Sequence, residues 1–144
     1  NKALSKIKGQ FFIRVDSDDY LNKHACELMS NILLENNDIA YVYCDHYKVD
    51  ARGLVLEKVK LNTNSKIKNH GAGIMFRKSA VKKVGGYNKD LKICEDYDLI
   101  SRLNKKYSGF YLPMPLYRYF KHDQNITNNK GRKLIISKLK KNEI

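Results

Sequence analysis

Two acidic clusters carry the chemistry that can be read from this sequence. The first is Asp16-Ser17-Asp18-Asp19, directly after the apolar run Phe11-Phe12-Ile13-Arg14-Val15. Three aspartates in four residues repel one another unless a cation or hydrogen-bond donors compensate. If the run is a strand reaching residue 16, its two-residue period points Asp16 and Asp18 the same way. Two carboxylates converging at the open end of a strand form a hard-oxygen site suited to Mg²⁺ or Mn²⁺. An Asp-rich turn capping the next helix is the competing reading, since Asp and Ser favour turns and N-caps. The second cluster, Glu95-Asp96-Tyr97-Asp98, opens a helix, where free backbone N–H groups and the helix dipole favour ionised carboxylates. An ionised carboxylate held in a cleft is what a general base requires. Ordinary capping with an Asp98–Arg102 pair one turn apart is the alternative there.

These clusters must be positioned by the elements around them. Ala3, Leu4 and Ile7 have helical spacing before Gly9, and residues 10–16 form the strand that leads to the first cluster. Ala25, Leu28, Met29, Ile32 and Leu33 predict a helix over about Lys23 to Asn36. Ile39 to Val49 reads as a strand, with a turn at Asp50-Ala51-Arg52-Gly53 and a hairpin return over Leu54 to Val59. Residues 60–70 read as a polar loop. Gly71 to Phe76 reads as a short strand whose glycines let another group approach the backbone, and Ser79 is placed to cap a short helix ending at Gly85-Gly86. The helix opened by Glu95 is expected to reach about Tyr107, with Leu99, Ile100 and Leu103 buried. Two short strands, Phe110 to Leu112 and Leu116 to Phe120, flank Pro113 and Pro115, and Gly131 to Lys141 forms a basic helix. Helix–strand alternation argues for an α/β fold with one antiparallel hairpin, organised as one domain over residues 1–144.

Composition narrows the classes. Hydrophobic content of 42% with 30% charged residues is globular. The three cysteines, Cys26, Cys44 and Cys94, lack any CxxC spacing, which fits inert reduced thiols in the core better than disulfides or zinc. No apolar stretch approaches the length of a membrane span. The net charge of +13 is spread along a chain also rich in Asn and Ile. With no nucleic-acid motif present, it reads as compositional and predicts no nucleic-acid partner. The basic helix, with Leu134, Ile135 and Leu139 on one side, leaves open a peripheral contact with an anionic membrane surface.

The order of motifs adds a resemblance. The string from Gly9 to Leu21, with Asp16-Ser17-Asp18-Asp19 inside it, resembles the DxD region of family 2 glycosyltransferases of the GT-A fold. Gly71-Ala72-Gly73-Ile74-Met75-Phe76-Arg77-Lys78, followed by Val84-Gly85-Gly86-Tyr87-Asn88, is similar to that family's acceptor-side segment. Glu95 to Leu103 resembles its ED-containing helix, and Tyr117-Arg118-Tyr119-Phe120-Lys121-His122 its closing segment. The resemblance implies a partial GT-A, Rossmann-like mixed sheet with flanking helices. It also implies inverting transfer of a sugar from a nucleotide-diphosphate donor to an acceptor hydroxyl.

By that resemblance Asp18 is the ligand of Mn²⁺ or Mg²⁺, while Asp16 contacts the donor nucleotide or shares the metal. Asp96 is the catalytic base, and Glu95, Gly71 and Gly73 lie on the acceptor side. His122 is a candidate third metal ligand or an ordinary loop histidine, and Arg118 a diphosphate contact or a surface ion-pair partner. Asp19 is the least constrained of the three aspartates. The implied acceptor is a surface glycan or its lipid-linked precursor (lipopolysaccharide, capsule or glycoprotein glycan), built at the cytoplasmic face of a bacterial membrane. The family's usual opening strand and its second strand, which ends in an Asp pair, have no counterpart here. The expectation is therefore a chain carrying the metal and acceptor half, prone to self-association along an exposed sheet edge. A catalytically incompetent fragment or a non-catalytic interaction module of the same fold is the alternative.

Overall fold

A computed structural model of the chain describes residues 1–61, 72–91 and 94–122. The expected loop beyond Leu61, Gly71 and the basic helix over residues 131–141 lie outside the described residues. In chain order the elements are α1 (Lys2–Lys6), β1 (Phe11–Ile13), β2 (Tyr20–Leu21), α2 (Ala25–Glu35) and β3 (Ile39–Val49). They continue with β4 (Val55–Val59), β5 (Met75–Arg77), α3 (Lys78–Lys83), α4 (Glu95–Asn104) and β6 (Ser108–Phe120).

The strands form one mixed sheet in the order β1-β5-β3-β6-β2, with β4 paired to β3 as the expected hairpin. β5 is antiparallel to both β1 and β3, and β6 is parallel to β3. β1, β3 and β6 therefore run the same way, and their C-terminal ends share one edge. In open α/β sheets that is the edge where ligands bind.

β3 is the spine because both of its faces are covered. Tyr41 and Tyr43 enter a core with Leu4, Phe76, Ala80, Val81, Leu99, Ile100 and Leu103, contributed by α1, β5, α3 and α4. Val42 and Cys44, one residue out of phase, enter a second core with Ala25, Met29 and Leu33 of α2, together with Leu116 and Tyr117. A strand buried on both faces reads as a continuous apolar run. Each fully buried Leu or Ile stripe residue is worth about 1.5–3 kcal/mol, so α4 is fixed chiefly by Leu99, Ile100 and Leu103, all at 0% exposure.

Arginines fasten the helix ends. Arg77 donates from Nε to the Ile39 carbonyl at 3.1 Å and from Nη2 to the Leu33 and Asn36 carbonyls, closing the C-terminus of α2. Arg102 pairs with Asp98 as expected, Nε to Oδ2 at 2.9 Å, and donates to the Gly86 carbonyl at 2.7 Å. It thereby ties α4 to the loop that ends α3. Gly85 and Gly86 have φ of +87° and +72°, which is why glycines terminate that helix.

Four local expectations are corrected. β6 is one thirteen-residue strand rather than two, because sheet irregularities beside Cys44, Asp45 and His46 absorb Pro113 and Pro115, which cannot donate to the ladder. Ser79 lies inside α3, whose N-cap is Arg77. Cys26 is exposed, so only Cys44 and Cys94 are core thiols. α4 stops at Asn104, where Tyr41 Oη donates to Asn104 Oδ1 at 2.8 Å and its ring covers Gly109.

Candidate active site

β1 is shorter than expected, ending at Ile13, so the first acidic cluster is a turn rather than a strand end. The Asp19 amide donates to the Asp16 carbonyl at 3.0 Å and closes that turn. Side-chain alternation no longer applies to its members, and each aspartate turns to a different partner. Asp16 Oδ1 faces Arg14 Nε at 3.1 Å, and Asp18 Oδ2 lies 2.9 Å from His122 Nε2. Asp19 is the anchored member. Its Oδ2 accepts from the Tyr117 hydroxyl at 2.6 Å and its Oδ1 from the Phe120 amide at 2.8 Å.

The anchor has its own support. Tyr117 is 1% exposed, and a Cβ on Gly73 would sit 2.8 Å from its ring. Gly73 has φ of +71° and donates its amide to the Arg14 carbonyl at 3.0 Å. Only glycine allows both the left-handed backbone and that close approach. The group that the glycine-rich segment admits to its backbone is therefore Tyr117. Burial first, and then donation to Asp19, raises the Tyr117 phenol well above the usual tyrosine range. Burial likewise raises the Asp19 carboxyl, against the lowering effect of its two hydrogen bonds. Asp18 goes the other way, because its bond with His122 lowers its pKa.

The second cluster stands at the first turn of α4, as expected. Cys94 precedes it in a left-handed conformation, with φ of 64°. Asp96 is 7% exposed, and its Oδ1 accepts from the Tyr97 amide at 2.8 Å. Glu95 Oε1 receives Arg14 Nη1 at 2.9 Å. Arg14 thus bridges the clusters, with one nitrogen on Asp16 and another on Glu95. Burial disfavours its charge, but Asp16, Glu95 and Asp96 outweigh that and raise its pKa. Sequence reading missed this residue. The signal was a lone cation inside an apolar run, which demands a carboxylate partner.

Arg118 is turned elsewhere. Nη1 donates to the Pro115 carbonyl at 2.7 Å, and the guanidinium lies 4.6 Å from the centre of the Tyr47 ring. Among the described residues no group of three or more His, Cys, Asp or Glu side chains is gathered to cage a metal. Asp18 and His122 nevertheless suit a divalent cation that keeps waters and takes its remaining ligands from substrate phosphates, as Mg²⁺ sites usually do. None of the described helices is long and apolar enough to cross a membrane.

Comparison with known proteins gives this site a context. A family model described as "Glycosyltransferase like family 2" matches residues 1–144. An uncharacterized glycosyltransferase of Rickettsia typhi is 28% identical over 143 residues, covering 89% of this chain and 45% of that protein. The hyaluronan synthase of Pasteurella multocida is 28% identical over 139 residues, covering 90% of this chain and 14% of the synthase. Among solved structures, S. aureus TarS 1–349 in complex with UDP-GlcNAc superposes with a TM-score of 0.69 at 21% identity, over 90% of this chain and 40% of that one. That likeness establishes a GT-A-like fold, as the sequence led one to expect. The chain spans less than half the length of these relatives.

Proposed function

The chain belongs to the glycosyltransferase family 2-like proteins, and on that premise we propose that it carries the metal and acceptor side of an inverting sugar transfer. The donor is a nucleotide-diphosphate sugar and the nucleophile an acceptor hydroxyl. The observation that carries this reading is the Arg14 bridge, which brings the Asp16–Asp19 turn and the Glu95-Asp96 helix start into one site.

Asp96 is the general base. It takes the acceptor hydroxyl proton as that oxygen attacks the anomeric carbon and the nucleoside diphosphate departs from the opposite face. Its place in the first turn of α4 holds it at 7% exposure, out of bulk water. Asp18 and His122 would hold Mn²⁺ or Mg²⁺, which supplies Lewis-acid stabilisation of charge on the departing diphosphate. Asp16, oriented by Arg14, faces the donor nucleotide or shares the metal. Glu95, fixed by the other end of Arg14, shapes the acceptor pocket. Gly73 serves the site first through its packing on Tyr117. The contacts of Arg118 favour a role in bracing β6 over a direct diphosphate contact.

The natural acceptor is read as a surface glycan or its lipid-linked precursor, assembled on the cytoplasmic side of a membrane. The similarity to a hyaluronan synthase supports the polysaccharide class. The test is turnover of a panel of nucleotide sugars with Mn²⁺, comparing the parent chain with Asp96→Asn and Asp18→Asn. Loss in both variants with unchanged melting is the expected result, and full activity in either overturns its role. Failure of the parent chain to bind a nucleoside diphosphate with Mn²⁺ would instead favour the non-catalytic module.

A further inference from the structure

Leu54, Val55 and Leu56, at the tip of the β3–β4 hairpin, are 55%, 55% and 56% exposed. Among the described residues they are the only large exposed apolar side chains that follow one another in sequence. They open the return strand β4, whose residues 55–58 are all exposed, so the hairpin projects with neither face covered. Tyr20, 46% exposed, stands beside the turn at Gly53, where an added Cβ would lie 3.5 Å from its hydroxyl. A contiguous exposed apolar patch of this kind marks an interface with a protein or a membrane.

Charge and spacing choose the cover. The hairpin's two carboxylates are matched, Glu57 by Lys48 at 2.8 Å and Asp50 by Arg52 at 3.5 Å. Lys58 and Lys60 make no ion pair among the described residues. Lys121, whose amide donates to the Val49 carbonyl at 3.0 Å, adds a cation at the hairpin's base. A second copy would have to pair along the open edge of β4, which the register shift at Lys48/Val49 and these lysines blunt. The chain's other apolar-basic run, Leu134 to Lys141, carries the same sign of charge. Two residues along a strand span about 7 Å. Lys58 therefore lies at phosphate depth when Leu56 reaches the acyl boundary of a bilayer.

We propose that the hairpin tip docks this chain on an anionic bilayer surface, with Leu54, Val55 and Leu56 at the acyl boundary and Lys58 and Lys60 among the lipid phosphates. Tyr20 sits at headgroup level, where tyrosines concentrate. The consequence for the candidate site is geometric. Asp18 lines the same open cleft as Asp50 and Gly53 of the turn, so docking brings the acidic turn to the surface that carries a lipid-linked acceptor. The docking itself does not depend on the sugar-transfer reading.

Vesicle co-sedimentation of the full chain tests the proposal, with phosphatidylcholine vesicles set against vesicles that also hold phosphatidylglycerol. Binding is expected only with the acidic lipid, and it should fall as salt is raised. The double variant Lys58→Gln, Lys60→Gln is expected to weaken it on the order of tenfold, and Leu54→Ser, Leu56→Ser at least as much. All four side chains are exposed, so unchanged melting of both variants is part of the expected result. The chain has no tryptophan. Val55→Trp therefore supplies a single fluorophore, whose emission should shift to the blue on acidic vesicles alone. Asp96→Asn should bind vesicles like the parent, which separates this proposal from the fate of the proposed base. Equal binding to neutral vesicles overturns the assignment. So does parent-like binding by both hairpin variants, which would move the contact to another basic segment. A dimer in solution that becomes a monomer in Leu54→Ser, Leu56→Ser would make the patch a self-interface, and that too overturns it.

Discussion

The two acidic clusters are held in opposite ways. The Asp16–Asp19 turn follows a three-residue strand and gets its shape from outside, through Tyr117 and the Phe120 amide of β6. Glu95 and Asp96 begin a ten-residue helix and get their place from that helix's own buried stripe. The first design leaves Asp18 half in solvent beside His122, where ligands can exchange. The second puts Asp96 at 7% exposure, where a proton acceptor is shielded. The proposed metal ligand and the proposed base have different needs, and the fold meets each with a different support.

The largest effects should fall on chemistry and leave stability alone. Asp96→Asn is expected to lower turnover by about 10²–10⁴-fold, the usual worth of a positioned acid or base, with an unchanged unfolding midpoint. Steady-state assays paired with thermal melts check both halves. Leu99→Ala probes the same helix from its support. Leu99 is fully buried, so its truncation should cost about 2–5 kcal/mol in denaturant unfolding. If α4 is what places Asp96, turnover falls in this variant even under conditions where the chain remains folded.

On the other side, Tyr117→Phe removes the strut under Asp19. It leaves a half-buried carboxylate with one donor fewer, which costs about 1–3 kcal/mol. A pH signature separates this from ordinary packing loss. Burial pushes the Tyr41 phenol up to about 12, and burial plus donation to Asp19 raises Tyr117 as well. Above pH 10, the ordinary tyrosine value, the unfolded chain sheds protons that the folded chain keeps, so stability falls as pH rises. Each such group steepens the fall by about 1.4 kcal/mol per pH unit. Urea unfolding from pH 9 to pH 11.5 should show a slope in Tyr117→Phe that is shallower by one proton. Equal slopes would mean that Tyr117 titrates freely and bears no load.

What was legible in the sequence divides along the same line. The helix-headed cluster was read correctly, because Leu99, Ile100 and Leu103 have a period that fixes the helix, and Glu95 marks its start. β3 and its hairpin were equally plain from their β-branched and aromatic run and the Asp50–Gly53 turn. The turn cluster was misread in detail. Asp16-Ser17-Asp18-Asp19 offered a turn as the competing reading, but nothing local ends the strand as early as Ile13; what holds that end is long-range: Gly73 bonds to Arg14 and Tyr117 bonds to Asp19. β6 was split at its prolines for the same reason, since the irregular pairing with β3 that accommodates them is visible only once the sheet exists.

The smallest expected effect is the one that decides whether the two regions form a single site. Arg14 touches Asp16 at 3.1 Å and Glu95 at 2.9 Å, with about a third of its side chain exposed. Ion pairs so placed contribute about 0.2–1 kcal/mol to stability. Arg14→Gln alone should therefore scarcely move the melt, and its meaning lies in coupling. A double-mutant cycle with Glu95→Gln should give a positive interaction energy of about 0.5 kcal/mol, while the same cycle with the distant Glu57→Gln should give none. In turnover the effect should be larger, because a shift of either cluster disturbs the reach from acceptor hydroxyl to donor carbon, where small misplacements are costly. If Arg14→Gln left both the coupling and the turnover untouched, the turn and the helix start would be neighbours without a common task. Arg14 would then be no more than a satisfied charge at the end of β1.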